Sequence, residues 1–432
     1  MNDPCTENEL KKKLTLSFAM EREMEQCLTY LSACGLDVGD TAKSFMASDP
    51  IFLFFSKKTK DGAPICKNDS KAVLSAFRDY CISCTPDSKK LERDRIASGA
   101  QSGNAGALGE YCYLEEDVSE DEIPENFRKR IRHIERVHHY KDVFNAKTHD
   151  FLKEKHSGTV IVAKNRDTLI YPGAPFCQSF GNEHFYYASC VKNCIYDCAY
   201  CYLKGMYPCG YLTVFVNTED YFEELEKILK EHPVYLCVSY DTDLLALEGL
   251  LGFCEKWIEF ANEHRDLKIE IRTKCANSEV FKHFPVPVHD NVIFAWTLSP
   301  DEVREFAEKG TPSSRERLKA AASAHRAGFP VRFCFDPIVF HKNWRESYTR
   351  LFDETFEAVP PEDILDISAG VFRISNNYLK RMRDCDALDP VTAFPFVTEQ
   401  GASHYGDLSR EMRDFAANEL AKRFPKEKTF IW

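Results

Sequence analysis

Between residues 185 and 372 short apolar runs alternate with longer amphipathic stretches at a regular spacing. The runs 185–190, 234–239, 267–273, 292–298, 331–338 and 364–372 are rich in β-branched and aromatic residues and too short for core helices. Each predicts a strand. The segments 219–231, after Asn217 or Thr218 as cap, 243–264, 301–307, 314–327 and 344–358 carry a helical period and fall between most of these strands. Six strands in this rhythm predict a parallel, curved α/β sheet with right-handed crossovers, a partial (β/α)6 barrel. In such sheets the loops after the strands carry the chemistry.

Upstream the pattern is different. Helices are predicted over 9–33 and 70–82 and a strand over 51–56, an α+β accessory domain across residues 1–97. Ser, Gly, Ala and Asn then dominate as far as Gly109 and no apolar period survives, so 98–112 reads as a linker and 113–432 as the main domain.

Length and charge narrow the function. A chain of 432 residues holds a large core and one or two domains. The apolar run at 50–55 is far too short to span a membrane. The formal charge of −12 opposes a nucleic-acid-coating role, because polyphosphates are held mainly through Lys and Arg. The charge leaves room for a local basic groove, for which the run 128–133, continuing through Arg136 to Lys141, is the best candidate, although such a run is more often a solvated helix face. The start Met1-Asn2-Asp3-Pro4-Cys5 has no basic stretch leading into an apolar segment, so the eighteen cysteines are read as thiols of a cytoplasmic protein.

Four of them fall within Cys190-Val-Lys-Asn-Cys194-Ile-Tyr-Asp-Cys198-Ala-Tyr-Cys201. Cys194, Cys198 and Cys201 have the spacing CxxxCxxC. Three thiolates suit a [4Fe-4S] cluster with one iron left open, where a substrate or cofactor binds and takes an electron directly. Structural zinc is the competing reading, but zinc sites usually pair two separated CxxC units. Cys190, Cys194 and Cys198 are also evenly spaced; Tyr200 and the following Cys201-Tyr202-Leu203 favour the later frame and leave Cys190 as a buried thiol at a strand end. Cys81 and Cys84 form a further CxxC that could bind metal with Cys66 or Cys112, with unpaired thiols as the default.

CxxxCxΦC, with Φ aromatic, resembles the signature of the radical S-adenosylmethionine (SAM) superfamily, whose open iron chelates SAM. From about Asn145 onward the chain is similar to the spore photoproduct lyase family. The resemblance rests on Cys194-Ile-Tyr-Asp-Cys198-Ala-Tyr-Cys201-Tyr-Leu203, on YLTVFVNTED from Tyr211 to Asp220, on Tyr240-Asp241-Thr242-Asp243 and on Arg272-Thr273-Lys274. Glu308-Lys309-Gly310-Thr311, the helix around Arg317, and Asp336-Pro337-Ile338 with His341 and Trp344 complete it.

The resemblance implies a radical SAM enzyme in which Cys194, Cys198 and Cys201 hold the cluster and Thr242, Lys274 and Thr297 lie near SAM. It implies hydrogen-atom transfer at Tyr200 and Tyr202, and an external one-electron reductant such as flavodoxin or ferredoxin. Aromatic packing over the cluster is the competing role for both tyrosines.

Two departures bear on the substrate. Tyr240 stands where the family's DNA-repair enzymes have a hydrogen-donating cysteine; its O–H could serve in that catalytic place as a different donor, whereas Cys237, three residues earlier on the same run, is expected on the opposite strand face and is a poor substitute. The family's basic, glycine-containing lesion-binding segment is replaced by Thr392-Ala393-Phe394-Pro395-Phe396 and His404-Tyr405-Gly406-Asp407, with little positive charge. With the acidic balance, these departures favour an unidentified substrate other than DNA. Repair of the thymine photoproduct is the alternative, and a non-enzymatic metal-binding module the third reading.

Overall fold

All six expected strands form, and they lie side by side. The computed structural model describes residues 4–432 except 58, 60–62, 98–107, 175–176 and 239. Phe185–Ala188, Val234–Cys237, Leu267–Thr273, Val292–Thr297, Val331–Ile338 and Ile364–Val371 pair in that order, every pair parallel. Ser239, at the end of the second expected run, lies outside the described residues. Thr429–Ile431 extends the sheet in parallel at one edge, and Ile170–Pro172 runs antiparallel at the other. The central strands are buried on both faces, as a parallel sheet covered by helices requires, which is why they read as continuous apolar runs.

The crossover helices Thr218–Leu229, Asp301–Ala307, Ser314–Arg326 and Trp344–Ala358 match the helical periods closely. The segment expected as one helix over 243–264 is broken. Gly252 adopts a left-handed φ of 64° that ends Glu248–Leu251 and starts Phe253–Glu263. The Glu248 carboxylate then accepts from the backbone N–H groups of Cys254 and Glu255 at 2.7 and 3.0 Å, which satisfies the second helix's first donors.

A second sheet was not anticipated. His133–Val137, Tyr111–Glu115, Val160–Ala163 and Leu212–Phe215 pair in parallel, and Val191–Lys192 adds to Leu212–Phe215 antiparallel. Its strands are two to five residues long, too short for period-two alternation to stand out. Tyr111 and Cys112, at the end of the expected linker, belong to it, whereas residues 98–107 lie outside the described residues. The basic run 128–141 borders this sheet mainly as a turn and an edge strand, and it is paired with acids: Arg128 with Asp121, Lys129 with Glu125, Arg136 with Glu120, Lys141 with Asp167. The run is a neutralised, solvated rim.

The accessory segment is helical. Pro4–Lys13, Phe18–Ala33, Val38–Ser48, Pro50–Ser56, Lys67–Ser83 and Ser88–Ala97 are helices, and its described residues hold no strand beyond an isolated bridge between Leu14 and Ile65. That bridge divides the single helix expected over 9–33. The strand expected over 51–56 is a helix because Asp49 caps it, accepting from Ile51 and Phe52 N–H at 2.9 Å, and Pro50 occupies its first turn. Met24, Leu31, Phe45, Val73 and Phe77 form a core of their own. The unit docks on the main domain through Tyr30, edge-on to Phe394 at 5.3 Å, and Arg78, whose Nε donates to the Pro395 carbonyl at 2.8 Å.

Candidate active site at the cysteine loop

The cysteine segment leaves the barrel strand Phe185–Ala188, crosses to the second sheet at Val191–Lys192 and returns, so both sheets fix it. Asn193 makes the reversal with a left-handed φ of 66°. Its side-chain amide donates to the carbonyls of Cys209 and Tyr211 at 2.9 and 2.8 Å. Lys155 Nζ donates to the Cys194 carbonyl at 2.7 Å, and Asp197 pairs with Lys204 at 2.7 Å and His156 at 3.2 Å. Asp197 and Cys198 form a two-residue antiparallel ladder with Lys309 and Glu308, and the Ala199 N–H donates to the Ala307 carbonyl at 2.7 Å. A loop this densely tied holds its thiols in place before any metal arrives.

Burial pushes the Cys194 thiol up to about 11 and raises Cys198 as well. Cys190 is fully buried on the barrel side, with Sγ 3.9 Å from the Val238 carbonyl. Among the described residues, only His149, Glu154 and Cys209 bring three metal-ligating atoms within 4.8 Å of one another. The three motif sulfurs are thus not all within 4.8 Å of one another; a cluster puts each thiolate on its own iron. Cys66, Cys81, Cys84 and Cys112 do not gather either: Cys66 is exposed, Cys81 lies in the helical core and Cys112 in a strand.

Beside the loop, Asp243 ties two strand ends together. Its carboxylate accepts from Thr273 Oγ1 and the Lys274 N–H, both at 2.6 Å, and from the Ala246 N–H at 3.1 Å. This aims Lys274 at the cysteines, with Nζ 5.6 Å from the Tyr200 ring centroid. Burial opposes the lysine's charge, but Cys198 and Glu308 beside it hold its pKa above the ordinary lysine value. Next to Asp243, Thr242 Oγ1 is buried without a hydrogen-bond partner, an open polar position at the same strand end. Thr297 is buried too, and its carbonyl accepts from Arg317 Nη1 at 3.1 Å.

The structure separates the two tyrosines of the motif. Tyr200 is buried and donates to Glu308, which also pairs with Arg317 and accepts from Ser299 Oγ at 2.7 Å. Burial alone would raise Glu308, but Arg317 and then Lys274 hold it down at about 2. Tyr202 faces the other way, donating to the Tyr240 carbonyl at 2.8 Å and to Asp241 at 3.2 Å. Tyr240 lies in the turn beyond its strand, so strand alternation does not govern its side chain relative to Cys237. Its ring stacks on Tyr187 at 4.6 Å and its Oη is 2.7 Å from Cys177 Sγ.

Sequence reasoning assigned no role to Cys177, Glu308 or Arg317. Arg317 and Glu308 were visible only as charges within the ordered blocks, and Cys177 carried no signal. The segment Thr392–Phe396 is buried against Tyr405 and Phe372 and lies beneath Tyr30 and Arg78 of the helical unit. It contributes packing between the two units.

The parallel strands, crossover helices and cysteine loop at the strand ends define a partial (β/α) barrel. Solved structures share this architecture at low identity: spore photoproduct lyase complexed with dinucleoside spore photoproduct, and a mutant of it with bound AdoMet and the same dinucleoside, each align with TM-score 0.60 and 19% identity over 75% of this chain and 98% of theirs. Residues 183–383 match the spore photoproduct lyase family model. The spore photoproduct lyase of Bacillus subtilis (strain 168) is 28% identical over 181 residues, 40% of this chain and 51% of that protein. That of Geobacillus sp. (strain Y412MC61) is 26% identical over 185 residues, 41% and 53%. The chain thus spans about half the length of the curated relatives it matches. Among the described residues no helix is long and apolar enough to cross a membrane.

Proposed function

We propose that the chain is a radical SAM enzyme, with Cys194, Cys198 and Cys201 holding a [4Fe-4S] cluster and Lys274, Thr242 and Thr297 contacting SAM. The observation that carries this reading is the Lys274 ammonium, buried beside Cys198 and over the Tyr200 ring, with the unpartnered Thr242 hydroxyl nearby. A cation and a free hydroxyl at a thiol-lined strand end fit a carboxylate- and ribose-bearing cofactor. A cluster held by Cys194, Cys198 and Cys201 would supply the electron for reductive SAM cleavage, and so the radical chemistry that removes a hydrogen atom from a substrate. The protein's part is to fix these thiols, balance charge with Lys274 and Glu308, and cover the loop with Tyr200 on one side and with Tyr202 and Tyr240 on the other.

The substrate we favour is not duplex DNA, because the basic run is ion-paired, residues 392–396 are covered and a tyrosine stands at position 240. Repair of the thymine spore photoproduct is the second reading, favoured by the neighbours that bind its dinucleoside form. Incubating the reconstituted protein with SAM, dithionite and that dinucleoside separates the two. Little or no thymidine formation is expected, and efficient formation would promote repair to first place.

Lys274→Ala is expected to weaken SAM binding about tenfold or more while leaving iron content unchanged, since a lost charge-assisted contact affects the ligand and not the thiolates. SAM affinity and iron are measured on one preparation. Equal affinity in wild type and variant would remove Lys274 from the site.

A further inference from the structure

We propose that His149, Glu154 and Cys209 form a zinc site that clamps the short helix Phe151–His156 to the loop before the strand Leu212–Phe215, separate from the cysteine motif and independent of the radical reading. A histidine nitrogen, a carboxylate oxygen and the Cys209 sulfur converge there within 4.8 Å of one another. Imidazole, thiolate and carboxylate are the ligand types zinc takes, whereas Ca2+ and Mg2+ take oxygen. A single sulfur also cannot hold an iron-sulfur cluster.

The backbone brings the three side chains together. Gly210 packs so closely on the helix that a Cβ there would lie 2.1 Å from the Phe151 carbonyl oxygen, and its N–H donates to Glu154 Oε2 at 2.8 Å. These contacts seat Cys209, the residue before it, against the helix. Glu154 Oε1 lies 2.8 Å from His149 Nδ1, and the other ring nitrogen, Nε2, is buried with no hydrogen-bond partner. An imidazole positioned by hydrogen bonds alone would have both nitrogens satisfied, and this one is left half satisfied. Cys209 is fully buried, whereas the side chains of His149 and Glu154 keep 10% and 13% exposure, so water can supply the fourth ligand. Coordination releases the thiol proton to solvent.

The consequence is mechanical. On the same helix Lys155 holds the Cys194 carbonyl and His156 bonds Asp197, while Asn193 donates to the Cys209 carbonyl. A metal joining helix and loop therefore stiffens the support on which the cysteine motif is set.

The test uses the full-length chain with Cys194, Cys198 and Cys201 all replaced by alanine, so that the motif cannot take zinc. Zn2+ is titrated in competition with a chromophoric chelator, and bound metal is counted by mass spectrometry. About one zinc per chain is expected, and Co2+ in its place should give a thiolate-to-cobalt charge-transfer band with the visible bands of four-coordinate cobalt. Adding Cys209→Ser or His149→Ala should weaken zinc about a hundredfold or more, beyond what the loss of an outer partner does. Glu154→Gln still accepts from the Gly210 N–H, so it keeps the local fold, and should weaken zinc about tenfold or more. Zn2+ should also raise the Tm of the background protein and leave that of the Cys209→Ser variant unmoved. No tight zinc in the background protein, or unchanged affinity in Glu154→Gln and Cys209→Ser, overturns the site. Reconstituted wild type separates this site from the radical reading: zinc bound beside the iron, with no 5'-deoxyadenosine formed, would overturn that reading and support the clamp.

Discussion

Replacing Cys198 by alanine is expected to strip the protein of its iron and its brown colour together. Wild type should hold about four irons per chain through three thiolates, and two cannot retain an open-site cluster. Cys198 is the clearest case because its backbone is paired to Glu308 while Asp197 before it is tied to Lys204 and His156, so the loop should keep its shape when the sulfur goes. Cys194→Ala and Cys201→Ala should behave alike. Cys190→Ala should keep the iron, because that thiol is buried on the barrel side near the Val238 carbonyl. Iron and sulfide analysis of the four variants checks this; loss of the cluster in Cys190→Ala with retention in Cys201→Ala would mean the ligand frame is wrong.

The second large effect is expected at the ion pair behind the loop. Glu308 and Arg317 are both completely buried, and their remaining polar capacity is filled by Tyr200, Ser299, Thr311 and the Thr297 and Pro312 carbonyls. Removing one partner leaves an uncompensated charge in a dry core, so Glu308→Ala should cost about 3–5 kcal/mol of stability. Replacing both, as in Glu308→Gln with Arg317→Met, should cost less than the two single changes added together, because neither charge is then stranded. Urea unfolding of the iron-free protein measures both quantities. Strict additivity would mean that the pair does not act as a unit.

The parallel sheet was legible because strands buried on both faces read as apolar runs, and amphipathic helices of ordinary length separate them. The run Ile51-Phe-Leu-Phe-Phe55 misled for the same reason: five consecutive apolar residues have no period, and only the Asp49-Pro50 start could have arbitrated for a helix. The second sheet escaped because its strands are short and its partners come from distant stretches of chain. At the site, the cysteine spacing was legible since ligands within one loop are local. Cys177 and Tyr240 meet across 63 residues and Tyr200 and Glu308 across 108, distances over which one sequence carries no pairing signal. Tyr200 and Tyr202 looked equivalent in sequence; the turn at Cys201 sends one toward Glu308 and the other toward Tyr240.

The most direct test of the radical SAM reading is anaerobic reconstitution with iron and sulfide, followed by SAM and dithionite and quantification of 5'-deoxyadenosine by mass spectrometry. Wild type is expected to form 5'-deoxyadenosine and methionine in equal amounts, and Cys198→Ala to form neither. A wild-type protein that carries about four irons per chain yet yields no 5'-deoxyadenosine would contradict the account.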